Sequence, residues 1–203
     1  MRVLHLLGTS LLFAASAVAQ APERSGGWRL SLGADALRFA GVARDTSAPP
    51  QAQASLRPNG RLGLHMALAR SFGLWGAELE VGWAGGHASA TNRVVAIEDK
   101  TAELSRIRVA PALSRRLMGV GNGEIALALG PTFDLWLVDG AQRSRVGAEA
   151  RVALRVPVGS VELENRITAG LSSSPVIRED LQEGFALSGL RALAFGTGLR
   201  IRL

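Results

Sequence analysis

The chain has 203 residues, 47% of them hydrophobic, with 23 basic against 17 acidic residues and a formal net charge of +6. No cysteine is present, which excludes disulfides and a lipid-anchored N-terminal cysteine. Lys100 is the sole lysine, and the arginines alternate with other residues instead of forming a basic run, so nucleic acid is excluded as a partner despite the positive charge.

Met1 and Arg2 precede an apolar run from Val3 to Val18, and Ala17-Val18-Ala19 supplies small residues before Gln20. The run is short and broken by His5, Gly8 and Ser10, so residues 1–19 read as a cleaved secretory signal, not a spanning helix. Residues 20–27 form an N-terminal segment, and 28–203 suit a single domain. No later stretch offers the ~20 unbroken apolar residues that a membrane helix needs.

From Trp28 the sequence alternates, with Trp28, Leu30, Leu32, Ala34 and Ala36 against Arg29, Ser31, Gly33 and Asp35, which predicts a strand. Gly41 to Pro58, containing Pro49-Pro50, reads as a long loop. A second strand sets Leu62, Leu64, Met66 and Leu68 against Gly63, His65 and Ala67. After a tight connection at 71–73, the third has the cleanest alternation: Trp75, Ala77, Leu79, Val81 and Trp83 oppose Gly76, Glu78, Glu80 and Gly82. Residues 85–100 read as a second long connection, although Val94, Val95 and Ile97 could extend a strand.

The fourth strand carries Ile107, Val109, Pro111 and Leu113 opposite Arg106, Arg108, Ala110 and Ala112. The fifth runs from Ile125 through Phe133 to Leu135, with Ala126, Ala128, Gly130, Thr132 and Asp134 on its other face. Pro111 and Pro131 count against these two strands, since each removes a ladder donor. After Asp139-Gly140, the sixth strand sets Val146, Ala148, Ala150, Val152 and Leu154 against Glu149, Arg151 and Arg155. A turn at 157–160 leads to the seventh, where Val161, Leu163, Ile167 and Leu171 oppose Glu162, Glu164, Arg166 and Thr168. Residues 172–183 are another loop. In the eighth strand Leu193, Phe195, Leu199, Ile201 and Leu203 alternate with Ala194, Gly196, Gly198, Arg200 and Arg202.

Eight alternating strands, joined by connections that are mostly long and short in turn, predict an all-β, antiparallel up-and-down barrel. The long connection after the fourth strand and the short one after the fifth break the rhythm. A soluble lipocalin-like carrier of an apolar ligand would show the same alternation with the faces reversed. The polar face favours a membrane barrel, because it is rich in Gly and Ala, and a narrow interior needs small residues to make room for its arginines. Its charges form an expected interior network. Glu78 and Glu80 fall near Arg106 and Arg108, Arg155 near Glu162, and Arg151 near Arg166. Arg202 and Arg200 fall beside Glu162 and Glu164, and Asp134 and Glu149 complete the set. Trp75 and Trp83, ~26 Å apart along one strand, fit two aromatic girdles with Trp28 in the turn-side one.

On these residues, 28–203 resemble the small outer-membrane barrels of the OmpA transmembrane-domain, OmpX and OmpW type, with Gly198, Ile201 and Leu203 matching the C-terminal assembly signal of such barrels. Leu203 departs from it where an aromatic is usual, and Gly196 where a polar residue is usual. The resemblance implies an outer-membrane location in a Gram-negative cell envelope, both termini in the periplasm, long loops outside, and contact with the barrel-assembly machinery during biogenesis. It also implies outer-membrane lipid and lipopolysaccharide as surroundings. No C-terminal periplasmic domain is seen to follow, so peptidoglycan anchoring of the OmpA kind is not implied.

No clustered His or carboxylate spacing suggests a metal, no cofactor motif occurs, and His65 reads as an interior hydrogen-bonding residue. His87-x-Ser89 resembles part of the His, Ser and Glu arrangement of outer-membrane lipid A deacylases, with Glu98, Asp99 or Glu103 as a third group. Its small-residue loop setting favours a solvent-exposed pair instead. Arg44, Arg93, Arg143 and Arg178 in the loops could meet lipopolysaccharide phosphates. The expected role is structural or surface-interacting, without catalysis and without porin-like passage of large solutes, in a monomeric protein. A small polar pore and a ten-stranded barrel stay open. N-terminal sequencing of the exported protein should begin near Gln20; a chain still starting at Met1 would overturn the signal assignment.

Overall fold

A computed structural model describes residues 26–203 except 48, 50–52, 61, 92–95, 139 and 182, and gives only the backbone for 91, 96–103 and 180. The signal assignment, Arg93, Val94 and Val95 lie outside the described residues, as do the side chains of Glu98, Asp99 and Glu103.

Strict alternation sends successive side chains to opposite faces of a strand. Eight strands obey it: β1 (Trp28–Ala40), β4 (Leu62–Phe72), β5 (Trp75–Thr91), β6 (Ala96–Val120), β7 (Gly123–Val138), β8 (Ala141–Val158), β9 (Val161–Ser172) and β11 (Leu190–Arg202). Each pairs antiparallel with its neighbours in the order β1-β4-β5-β6-β7-β8-β9-β11, and β11 pairs back onto β1 from Arg29↔Arg202 to Ala40↔Arg191. The ring is therefore closed and has no edge.

The faces point apolar side out. Along β4 the leucines at 62, 64 and 68 are exposed while Gly63, His65, Ala67 and Ala69 are buried. Across the hairpin Leu79 is 48% exposed and its neighbour Glu80 is fully enclosed. An apolar outer wall around a charged interior is the reverse of a lipocalin.

The turn side is tight. Gly73–Leu74, Gly121–Asn122 and Gly159–Ser160 each join two strands in two residues, with the glycines at φ between 59° and 66° where a Cβ is disfavoured. The connection after the fourth strand is a two-residue turn and not a long one, because β6 continues to Val120 and β7 begins at Gly123, while the one after the fifth is short as expected, β7 ending at Val138 and β8 beginning at Ala141. Loop-side expectations need correction as well. Residues 41–58 contain β2 (Ala43–Asp45) and β3 (Ser55–Pro58), and β10 (Phe185–Leu187) lies in the last connection. Together they form a small sheet, β10-β2-β3, on the part of β5 that rises beyond the ring. These strands are too short to show a period, and only the β5 edge templates them. Within the 85–100 stretch, residues 85–91 continue β5 and 96–100 belong to β6, paired with each other and with a bulge between His87 and Ala88.

Pro111 and Pro131 both stand inside strands, and the reason they are tolerated is positional. The β6–β7 ladder runs to Val109↔Phe133 and resumes at Leu113↔Leu129, a register that sets the two prolines opposite each other. Two missing donors thus share a single gap instead of breaking the ladder twice. Pro111 also pairs with Leu79, midway between the Trp75 and Trp83 levels on β5. Pro131→Val restores one donor there and should stabilise the folded barrel by about 1 kcal/mol, read as a higher urea midpoint in detergent or lipid; an unchanged or lower midpoint would show that the gap is not a weak seam.

Candidate functional site

Alternation delivers the acids and arginines of seven strands into a lumen only wide enough for side chains. Among the described residues the buried charges are six carboxylates (Asp35, Glu78, Glu80, Asp134, Glu149 and Glu164), six guanidiniums (Arg106, Arg108, Arg151, Arg155, Arg166 and Arg200) and His65. Buried charge is tolerated where it is paired and hydrogen-bonded.

The pairs stack from the turn side upward. Arg155 donates to Glu164 (2.8 Å) and Glu78 (2.7 Å) and reaches Glu124 at the rim (3.4 Å). Arg200 lies 3.9 Å from both Glu78 and Glu164. Arg151 binds Glu149 (2.6 Å), Glu80 (3.0 Å) and Glu78 (3.3 Å). Glu80 also accepts from Arg108 and Arg166, so three guanidiniums converge on one carboxylate. Arg108 continues to Glu149 at 2.8 Å. Arg166 grips Asp35 with two bonds of 3.0 and 2.7 Å, and His65 Nδ1 lies 3.0 Å from the same carboxylate.

Above this, Arg106 forks onto Asp134 at 2.9 and 2.8 Å. Its guanidinium carbon also lies 5.8 Å from the Phe39 ring centroid and 5.5 Å from that of Trp136. Phe39 and Trp136 meet edge to face, and with Val42 and Leu190 they form an apolar cap at the loop end of the lumen. At the turn end a vestibule of about 390 Å³ remains, lined by Arg29, Arg116, Arg155, Glu124 and Glu162 among others.

Of the sequence-based pairings, Glu80 with Arg108 and Arg200 with Glu164 are present as ion pairs, and those across the 157–160 turn err by two residues. The 157–160 turn has only two residues outside the ladder, so Arg155 stands opposite Glu164, not Glu162, and Arg151 opposite Thr168. On the other side of β9, Arg200 stands opposite Glu162, and Arg202 stands opposite Arg29, at the exposed rim. Glu162 faces Arg29 at 3.7 Å. Arg106 turns to Asp134, and Glu78 to Arg151 and Arg155, rather than to each other. Asp35 was not among the expected network residues, although its place after Arg29, Ser31 and Gly33 on the polar face of β1 carried the signal. Trp136 was missed too; its spacing from Asp134 put it inside, where it is 2% exposed.

Small residues make the space. A Cβ at Gly196 would strike the Asp35 carboxylate and lie 3.0 Å from Arg166 Nε, and one at Gly33 would strike the His65 ring. Gly196, the departure from the usual closing-strand pattern, is therefore demanded by the ion pair beside it.

The other candidates are placed differently. Trp28, Trp75 and Trp83 face outward and are about half exposed. His87 and Ser89 lie in β5, not in an exposed loop. Ser89 is buried and donates to the Arg57 carbonyl at 3.2 Å, while His87 Nδ1 is enclosed without a hydrogen-bond partner. Arg143 and Arg178 donate to the backbone carbonyls of Pro175 and Phe185, holding the β9–β10 connection, and Arg44 lies exposed in β2. Among the described residues no group of three metal-ligating side chains occurs.

Glu80→Gln leaves three guanidiniums short of a full charge and should cost about 3–5 kcal/mol of stability in denaturant unfolding. Glu124→Gln, at the partly exposed rim, should cost ~1 kcal/mol or less. Equal effects would mean that the interior pairs are no more demanding than surface ones.

The sequence matches no protein-family model and no curated protein. Solved structures do match the fold. Neisserial surface protein A superposes with a TM-score of 0.54 at 8% identity, covering 87% of this chain and 97% of that one. The outer-membrane protein AlkL gives 0.54 at 14% identity, with 93% and 95% covered. OprG from Pseudomonas aeruginosa gives 0.50 at 9% identity, with 88% and 97% covered. Ring closure, strand number, outward apolar face and these superpositions agree: the chain has the fold of the small eight-stranded outer-membrane β-barrel proteins.

Proposed function

We propose that the chain is an outer-membrane β-barrel whose lumen is closed by its own ion pairs, and whose role is structural or surface-interacting rather than catalytic or conductive. The carrying observation is the buried lattice centred on Glu80, continuous from Arg155 through Arg151 to Arg108 and Arg166, with the Arg106–Asp134 pair above it and Phe39 and Trp136 as the cap. A pathway for solutes would have to break several charge-assisted bonds in sequence, each left uncompensated in a narrow space. The apolar outer wall supports the membrane location, since a belt of half-exposed Leu, Val, Phe and Trp on every barrel strand has no other solvent that suits it.

The surface that would act is the loop end, where β10, β2 and β3 extend the β5 edge. Lipopolysaccharide is the proposed neighbour there. Arg38 and Arg191 face outward near the loop ends of the adjacent strands β1 and β11, and a guanidinium fork suits a phosphate.

In planar bilayers the reconstituted barrel should give no discrete conductance steps, and it should migrate differently on gels before and after boiling. Reproducible steps in the wild-type protein would contradict the closed lumen. A mobility unaffected by boiling, with recovery in the soluble periplasmic fraction, would contradict the membrane barrel.

A further inference from the structure

The outer wall carries almost no charge, and the charge it carries is of one kind. On the outward faces of the eight barrel strands, among the described residues, the charged side chains are Arg38, Arg70, Arg115 and Arg191, without a carboxylate. Two of them, Arg70 and Arg115, lie at the turn side and share a construction. Arg70 on β4 stands directly opposite Trp28 on β1, and Arg115 on β6 directly opposite Trp75 on β5. In each pair the guanidinium lies over the indole, with its carbon 5.5 Å from the Trp28 ring centroid and 5.2 Å from that of Trp75.

Stacking on an aromatic face holds a guanidinium plane while leaving its N–H edge free for a planar acceptor. β4 and β6 are two strand spacings apart, about 10 Å, so the two edges can engage phosphates of neighbouring lipids. Exposed Phe72 and Leu74 lie beside them as apolar surface for acyl chains. No acid on this wall is available for a headgroup ammonium, so charge complementarity selects an anionic headgroup over a zwitterionic one.

We infer that the turn-side wall formed by β1, β4, β5 and β6 is a binding surface for anionic phospholipid of the turn-side leaflet, with Arg70 and Arg115 on the phosphates and Trp28 and Trp75 as their aromatic supports. The inference rests on the membrane-barrel reading and adds to it a specific lipid class at a specific quarter of the wall.

The test titrates the detergent-solubilised full barrel with phosphatidylglycerol and, separately, phosphatidylcholine, counting bound lipids by native mass spectrometry. Wild type should retain phosphatidylglycerol preferentially. R70Q/R115Q should weaken that binding roughly 25-fold, about fivefold per arginine, while R116Q/R202Q, which removes the same charge from exposed turn-side arginines off the outward face, leaves it unchanged. All variants are first checked for the mobility shift on boiling. Loss of that shift in wild type would overturn the barrel reading and the inference with it. With the shift intact, equal phosphatidylglycerol affinity in wild type and R70Q/R115Q, or equal weakening by R116Q/R202Q, would overturn the inference alone.

Discussion

Glu80 is the point on which the interior depends. It is fully enclosed and receives Arg108, Arg151 and Arg166, which arrive from β6, β8 and β9. One carboxylate thereby ties four strands across the lumen, while Asp35 extends the tie to β1 through Arg166. Taking charges out of water is costly, and the cost is offset only where every charge finds its partners. Among the described residues the six buried acids and six buried guanidiniums each have a partner within 4 Å, which meets that condition. They also account for the small residues on the same face, because a lattice of arginines inside so narrow a ring leaves no room for further side chains at Gly196 or Gly33.

The wall and the filling constrain each other. A closed ring satisfies its backbone internally, which is the condition for crossing a bilayer with strands. It also fixes which residues meet across the lumen. The two prolines show how closely the wall is built: in one register they share a single gap midway between the girdle levels, and a shift of either strand would break the ladder in two places. Trp136 belongs to the same logic. It continues the inward face of β7 one step beyond Asp134, where the loop end offers Phe39, Val42 and Leu190 as apolar company.

Much of this was legible in the sequence. All eight barrel strands follow from alternation, because a face that is uniformly lipid-like or uniformly small and charged leaves a period of two that short strands cannot hide. The inward set of charges was legible for the same reason, down to Glu80 and Arg166. The partners were legible only in part, Glu80 with Arg108 and Arg200 with Glu164. Register depends on how many residues a turn consumes, and treating 157–160 as the turn, where only Gly159 and Ser160 lie outside the ladder, displaced Arg155 from Glu164. Asp35 was on the correct face but its partner Arg166 is far along the chain, and only closure of β1 onto β11 brings them together. The strands β2, β3 and β10 left no signal because each is three or four residues long and is shaped by pairing, not by a buried face.

The central claim is that the apolar face looks at lipid and the charged face at the lumen. The absence of native cysteine makes this directly measurable, since any introduced cysteine is a unique labelling site. Nitroxide labels at Ala77, Leu79 and Val81 should be highly accessible to oxygen dissolved in the bilayer, whereas labels at Gly76 and Gly82 should be shielded, giving a period of two along β5. The opposite phase, with positions 76 and 82 lipid-accessible and 77, 79 and 81 shielded, would contradict the account and turn the barrel inside out.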